Sequence, residues 1–556
     1  MRIKKIIVWQ FKSYLVAKIL HYWSLIPGSN RWRRRRIKLA LRGYSNLKAH
    51  TRLGSIENIQ KEISAKELEI PRWYFSECIF GAGTKEAEKI IRQYLILRVG
   101  YISLNYELLI SVSNSKGSLK SPIPKEWRNI VKENGFRVSD FSCSFLWNIY
   151  IIAIYIYGVR QILKILVEGF REIGKSNYLN EKYIYFCNLS NNNLPKMKSS
   201  KKSHDIISWY IQWVGRDRDI RVISHGVSSN LISNDHNIDL KFQKKPIPSI
   251  QNWSQLLQYF LWAFRAIAIS TVDLIRGHWW HSFILNQAAL SGQARLLSPN
   301  VLAKEYFFHQ STWIYRPLWT YEVEKMGSKV TLYFYSTNCE GFQREDGRTP
   351  LITGYSTMNW PCYMVWDLWQ AKFIYRCVGP KVKLKIVGPI WFDSSDAKMP
   401  AHEYPAVAVF DVTPHRISSY CKLGLAFDYY TPDVANRFLS DISEIVFKLN
   451  GTMLWKGKRN IGLLAHPSYR YLVDKLMGHS HNIKIDPNVD SINTIISSSV
   501  VISMPFTATA LIARELKKPS VYYDPSGKLS KKDPATHGIE LLIGYDELED
   551  WLTKYI

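Results

Sequence analysis

The sequence predicts an α/β protein with two consecutive doubly wound, Rossmann-like domains facing a cleft, behind a mainly helical N-terminal region. Three observations predict this. Short apolar runs alternate with helix-length amphipathic segments, most regularly from about residue 296 onward, as in a parallel sheet covered on both faces. The alternation pauses at Ala401–Pro405 and restarts, which divides it into two blocks. The first 175 residues lack the alternation and are basic and apolar instead. The expected bounds are 1–175 for the N-terminal region, 176–400 for the first α/β domain with a helical insertion near 250–290, and 401–556 for the second.

Composition agrees with several cores. The chain has 556 residues, 46% of them hydrophobic and 14% aromatic, which excludes a disordered chain. The 20 Trp and 33 Tyr suit sugar- or base-stacking pockets, a membrane interface or large aromatic cores. Seven scattered cysteines with no CxxC pair and no Cys/His ligand spacing argue for a reducing compartment and against a zinc site.

The formal net charge is +28. Met1–Gly54 holds no Asp or Glu but carries Arg31, Arg33, Arg34, Arg35, Arg36, Lys38, Arg42 and Lys48. Such an arm attracts anionic lipid or nucleic acid, or is a solvated face. Without a helix-turn-helix, RRM or OB pattern beside it, no nucleic acid partner is expected. The first residues form a basic amphipathic pattern without an uninterrupted apolar core or a small-residue cleavage site, so no signal peptide is expected.

Two apolar stretches follow. Phe141–Val159 has 19 residues without a charge and is closed by Arg160 and Lys164. A monotopic or re-entrant helix, a true span and a buried helix all fit it. Leu256–Ile275 is interrupted by Arg265 and Asp273, which suits an interfacial or core helix better than a span. With the basic arm, these stretches favour a peripheral or monotopic seat on an anionic membrane surface.

In the first α/β block, strands are expected at Tyr183–Leu189, Ile220–Ser224, Glu305–Gln310, Lys329–Tyr335 and Lys383–Val387. Helices are expected at Asp205–Val214, Arg316–Lys325 and Asp367–Arg376. In the second block, strands are expected at Ala406–Val412, Thr452–Lys456, Ile483–Asp486, Val500–Ile502 and Ser520–Tyr523. Helices alternate with them at Pro432–Leu449, Pro467–Met477, Asp490–Ser497 and Ala508–Leu516, and Asp546–Tyr555 ends the chain.

Open α/β sheets bind ligands outside the C-terminal ends of their strands. Three turns of the second block follow such ends. The first is Asp411–Arg416, with Thr413, His415 and Arg416. The second is Lys456–Asn460, with Lys456, Lys458 and Arg459, and His466–Pro467 opening the next helix. The third is Ser503–Thr509, with Ser503, Pro505, Phe506, Thr507 and Thr509 before a helix N-terminus. Cations, hydroxyls and helix N-termini on one edge can hold a phosphodiester or diphosphate without a P-loop. An N-capped helix with no ligand is the plainer reading of any one such turn. There is no GxxxxGK[ST] and no GxGxxG after a strand, which argues against an ATPase or a dehydrogenase. Asp393 and Asp396 in FDSSD suit a loop cap pair, and no metal is expected.

The C-terminal part resembles the bacterial polysaccharide biosynthesis PFTS-motif family of O-antigen and surface carbohydrate synthesis. The residues that carry the resemblance are VISMPFTATALIARELKKPSVYYDPSGK (501–528), MLWKGKRNIGLLAHP (453–467), FDVTPHR (410–416) and EYFFHQSTWIYRPLWTYEVE (305–324). The family's PFTS reads Pro505-Phe506-Thr507-Ala508 here, with alanine in place of serine. His466-Pro467 followed by a hydroxyl-rich turn is also similar to bacterial sialyl- and Kdo transferases of GT-B fold, where such motifs hold the CMP part of a CMP-sugar.

These resemblances imply a metal-independent, GT-B-like glycosyltransferase at the cytoplasmic face of the inner membrane. Its co-substrate would be a nucleotide-sugar, CMP-linked first, and it would need no other cofactor. Its acceptor would be a surface polysaccharide or lipid-linked precursor. A non-catalytic polysaccharide-assembly or scaffold protein on the same fold is the alternative. Glycosyl transfer needs a base or nucleophile at the acceptor. The first block offers Glu340, then His309, with Asp367 and Glu322 behind them, and Arg316 and Trp319 as acceptor contacts. An exposed or ion-paired side chain is the competing reading for each of the four acid–base candidates.

Overall fold

A computed structural model describes residues 53–66, 79, 84–100, 104, 108, 118–174, 182–189, 194, 206–214, 222–227, 239–309, 315–334, 340, 342, 343, 347, 355–388, 399–402, 405–414, 429–457 and 465–556. Helices α1 (Leu53–Ala65), α2 (Thr84–Tyr94), α3 (Lys125–Glu133) and α4 (Asp140–Glu172) precede the first sheet. That block runs β1 (Tyr183–Cys187), α5 (Ile206–Val214), β2 (Val222–His225), β3 (Asp239–Phe242), α6 (Trp253–Ile275) and α7 (Trp280–Arg295). It continues through β4 (Glu305–His309), α8 (Trp319–Lys325), β5 (Lys329–Tyr333), β6 (Cys362–Val365), α9 (Leu368–Val378) and β7 (Lys383–Ile386). The second block runs β8 (Ala406–Phe410), α10 (Pro432–Lys448), β9 (Thr452–Lys456), α11 (Pro467–Leu476) and β10 (Asn482–Lys484). It ends with α12 (Ser491–Ile496), β11 (Val500–Ser503), α13 (Ala508–Glu515), β12 (Ser520–Asp524), β13 (Glu540–Ile543) and α14 (Gly544–Tyr555).

The chain forms two compact units, one holding α1, α3 and the start of α4, the other holding α2, the rest of α4 and both sheets. In the first unit, α3 buries Trp127, Ile130 and Val131, the i, i+3, i+4 face of an amphipathic helix. Arg128 donates to the Asp140 carbonyl (3.0 Å) and Lys132 to its carboxylate (2.7 Å), which fixes the start of α4.

In the second unit both sheets are parallel. The first has seven strands in the order β3-β2-β1-β4-β5-β6-β7, the second six in the order β10-β9-β8-β11-β12-β13. Each winds outward from its first strand and reverses once, between β1 and β4 and between β8 and β11. That is the doubly wound arrangement, and it agrees with the expected fold class.

Strands β1, β4, β8 and β9 are buried at every residue, because helices cover both faces; β1 and β8 are apolar throughout, and β4 and β9 carry polar residues only at their ends. Ile184, Phe186, Tyr210, Phe307 and Met364 build part of the first core. Ala408, Phe410, Val501 and Ala513 build part of the second. The edge strand β7 places Lys383 and Lys385 at the solvent, which blunts pairing with another chain.

Three strands had no counterpart in the sequence reading: β3, β6 and β13. Each has four residues, and β3 and β7 are the exposed outer strands of their sheet.

Candidate functional site

The register of the second sheet places its strand ends side by side. Phe410 pairs with Lys456 on one flank and Ser503 on the other, and Ser503 pairs with Tyr522. The turns after β8, β9 and β11 therefore leave from one edge. Those after β8 and β11 flank the reversal of strand order, where doubly wound sheets leave a crevice.

The third turn is the most closely tied. The Ser503 and Thr509 hydroxyls lie 2.8 Å apart, and the Thr507 hydroxyl is 3.3 Å from that of Thr509. Thr507 is the N-cap residue of α13, yet its Oγ1 donates back to the Met504 carbonyl (2.8 Å) and makes no cap hydrogen bond to the helix. The helix therefore presents its N-terminus beside three hydroxyls, the chemistry of an anion site. Phe506 holds a left-handed conformation (φ 64°) that a bulky side chain rarely adopts. Packing on Tyr522 and Phe342 retains it, with ring centroids 5.8 and 4.9 Å away. Tyr430 donates to the buried Pro505's carbonyl (2.9 Å), and Tyr522 to that of Thr507 (2.8 Å).

The first and second turns are joined, because the His466 amide donates to the Pro414 carbonyl (2.9 Å). His466 is the N-cap of α11, with Nδ1 facing the Ser468 hydroxyl (2.8 Å), and Pro467 is exposed in the first helical turn. Thr413 is half-buried beside Tyr469. Lys456 is buried and donates to the Pro487 carbonyl (3.2 Å), so its ammonium serves the turn after β10. Burial pushes its pKa down, against the pull of Asp490 and Asp486. His415, Arg416, Lys458 and Arg459 lie outside the described residues, as do Asp393 and Asp396.

Sequence reasoning passed over Asp411, the first residue after β8. Its carboxyl is buried and accepts from the Tyr469 hydroxyl. Burial lifts its pKa to about 6, although the Tyr469 hydrogen bond works the other way. An acid placed directly after the apolar run AVAVF was the available signal.

The acid–base candidates of the first block divide into two groups. Glu340 and Asp367 belong to one charged cluster. The Glu340 carboxylate is buried against Arg376, and burial raises its pKa while Arg376 lowers it. Asp367 caps α9 by accepting from the Gln370 amide (2.8 Å). It also meets Arg514 (3.2 Å) and His537 (3.4 Å) of the second block. Burial would raise its pKa, but hydrogen bonding and charge from His537, with Gln370 and Arg514, hold it below the usual value.

His309 and Glu322 lie elsewhere. His309 ends β4 at the reversal of the first sheet, stacked parallel to Tyr333, and burial pushes its pKa down to about 3. Glu322 is buried on α8 with Arg295 at 3.8 Å, and burial raises its pKa. Arg316 is buried against Thr320 and Glu324 with its guanidinium over the Tyr321 ring, and Trp319 packs on Tyr306 and Phe308.

The strand-end loops of the two sheets meet beside the third turn. Phe342, past β5, packs on Tyr429 and Tyr430 as well as Phe506, with centroids 5.3, 5.6 and 4.9 Å away. The neighbouring Gln343 amide donates to Asp533 (2.7 Å). A separate cavity of about 650 Å³ lies against β3, with Lys241, Lys244, Lys245, Glu168 and Glu172 among its lining, and it includes no residue of the three turns.

Two doubly wound parallel sheets whose strand-end loops meet define a GT-B-like α/β protein. The polysaccharide biosynthesis PFTS motif family model matches residues 259–552, over half of the chain, and the chain belongs to that family. The match starts within α6, covers β4 to β13 and includes the three turns. Among solved structures, a UDP-GlcNAc 2-epimerase from Methanocaldococcus jannaschii is similar at 10% identity and a TM-score of 0.32. The similarity covers 68% of this chain and 92% of that one, and is too slight to build on. No curated protein matches the chain.

Proposed function

We propose that the protein is a glycosyltransferase that moves a sugar from a nucleotide-sugar, CMP-linked first, to a bacterial surface polysaccharide or its lipid-linked precursor. The supporting observation is the hydroxyl trio Ser503, Thr507 and Thr509 at the N-terminus of α13, beside the reversal of the second sheet. Membership of a polysaccharide biosynthesis family supplies the substrate class. In this reading the acceptor hydroxyl attacks the anomeric carbon and the bond to the donor's phosphate oxygen breaks. The negative charge that develops on the leaving phosphate falls where the α13 dipole and the hydroxyls stabilise it. Glu340, oriented by Arg376, is the first candidate to take the acceptor's proton.

The engagement of Glu340 and Asp367 in ion pairs favours the second reading, an assembly protein that binds nucleotide-sugar or glycan without turnover. The transferase reading needs the nucleotide site, whereas an assembly protein that binds only glycan does not. CMP, UDP and GDP should be compared by thermal shift, with Thr507→Ala and His466→Ala beside the parent. At a hundredfold excess over Kd, one nucleotide should add about 2.7 kcal/mol of stability, and Thr507→Ala should remove most of that gain. If none of the three raises the melting temperature, the site is not a nucleotide site. Product analysis with a panel of nucleotide-sugars then separates transferase from assembly protein.

A further inference from the structure

Helix α4 is apolar on two sides. Cys143, Trp147, Ile151, Ile162 and Ile165 are buried. Ile149, Ile152, Ile156, Leu163, Val167 and Phe170 form a second stripe at three-, four- and seven-residue spacing, and it is exposed, Phe170 by 65%. Helix α6 repeats the pattern. Tyr259, Ala263 and Ala266 are buried, while Trp253, Leu257, Phe260, Phe264 and Ile275 are exposed, Phe264 by 71%.

Within the second unit the two helices lie antiparallel. The Phe170 and Trp253 rings meet at 5.5 Å near one end, and the Tyr155 and Thr271 hydroxyls meet at 2.7 Å near the other. Glycines let α7 close the inner side. A Cβ at Gly158 of α4 would lie 2.7 Å from Leu285 of α7, and one at Gly292 of α7 would lie 3.0 Å from Trp262 of α6. The inner faces are thus taken, and the two outer stripes form one apolar surface, joined at Phe170 and Trp253.

We propose that this surface seats the protein in one leaflet of an anionic lipid bilayer, with α4 and α6 lying in the plane of the interface. By length and composition α4 could cross a membrane. Its packing along α6 and α7, however, leaves it apolar contact with lipid along one side only, as for an interfacial helix. Charge selects the occupant. Arg160, Lys164, Arg171, Arg265 and Arg276 are exposed on or just after these helices, and Glu172 is the one exposed acid on Ile151–Glu172 and α6. A two-fold dimer through this surface would set one-signed charge against itself, whereas anionic headgroups neutralise it. The inference is independent of the sugar-transfer reading.

The test is flotation of the full chain with vesicles of phosphatidylcholine, with and without phosphatidylglycerol. Leu257→Glu/Phe264→Glu is compared with Tyr471→Glu, an exposed aromatic on α11 (74%). All three altered positions are solvent-facing, so melting temperature should hold and reports any misfolding. The parent and Tyr471→Glu should float with the anionic vesicles, and the double variant should bind about tenfold less or weaker still. Four results would overturn the inference. They are no flotation of the parent, equal binding to both vesicle types, unchanged flotation of the double variant, and a parent dimer that the double variant splits in light scattering without any effect on flotation.

Discussion

The Asp411 carboxyl makes a prediction of its own. It is buried directly after β8, and burial lifts its pKa from the ordinary 3.8 to about 6. Between those values the folded protein holds a proton that the unfolded chain has released. Stability therefore falls as pH rises from about 4 to 6 and carries the full penalty above. A shift of that size corresponds to about 3 kcal/mol. Asp411→Asn keeps an acceptor for the Tyr469 hydroxyl and has no charge to desolvate. Urea unfolding should find it about 1–3 kcal/mol more stable than the parent at pH 8 and nearly equal at pH 4. A variant weaker than the parent at pH 8 would mean that the carboxylate is ionised and fully satisfied there. If the same variant also loses nucleotide-induced stabilisation, the buried acid is kept for function at the expense of stability.

At the scale of elements, Asp367 does two jobs that separate by substitution. It caps α9 and it pairs with Arg514 and His537 across the two blocks. Asp367→Asn should keep the cap and lose the ion pair, while Asp367→Ala loses both. Thermal or urea unfolding should place alanine below asparagine by about 1 kcal/mol. Equal values would show that the cap contributes nothing. The same residue shows why sequence reads some features and not others. The start of α9 was legible in Asp367 itself, the strands β1 and β8 in their continuous apolar runs, and β4 and β9 in their apolar centres, because those signals are local. Strand β3, with the sequence DLKF, has no such run, because it is an outer strand with half-exposed residues. Within the candidate site, the turns were legible from strand ends followed by hydroxyls or cations. The partners were not, since Tyr469 reaches Asp411, Phe342 reaches Phe506 and Pro487 captures Lys456 only through tertiary packing. The membrane-length apolarity of Phe141–Val159 was legible too, but its division into one buried and one exposed stripe needs the neighbouring helices.

For the whole molecule, the net charge of +28 sets a stability expectation of its own. The first 54 residues hold 14 Lys and Arg and no acid, half of that excess, and the other half is spread over the remainder. Self-repulsion of a compact, highly charged chain opposes folding. Its range is the Debye length, about 30 Å in 0.01 M salt and about 8 Å in 0.15 M. Short ion pairs respond in the opposite sense, because salt weakens the attraction in contacts such as Lys531–Glu547 (2.8 Å) and Lys448–Glu444 (3.3 Å). Those pairs are exposed, and exposed pairs contribute little. Repulsion should therefore win, and the melting temperature should rise by a few degrees between those two salt concentrations. Scanning calorimetry of the full chain measures this directly. A fall would place the balance with the ion pairs. The same excess charge should bind DNA weakly and without sequence preference, with an affinity that drops steeply over that salt range. Nucleotide binding through hydroxyls and a helix N-terminus involves little counterion release and should change far less. The two salt slopes, measured side by side, separate a specific donor site from general attraction to polyanions.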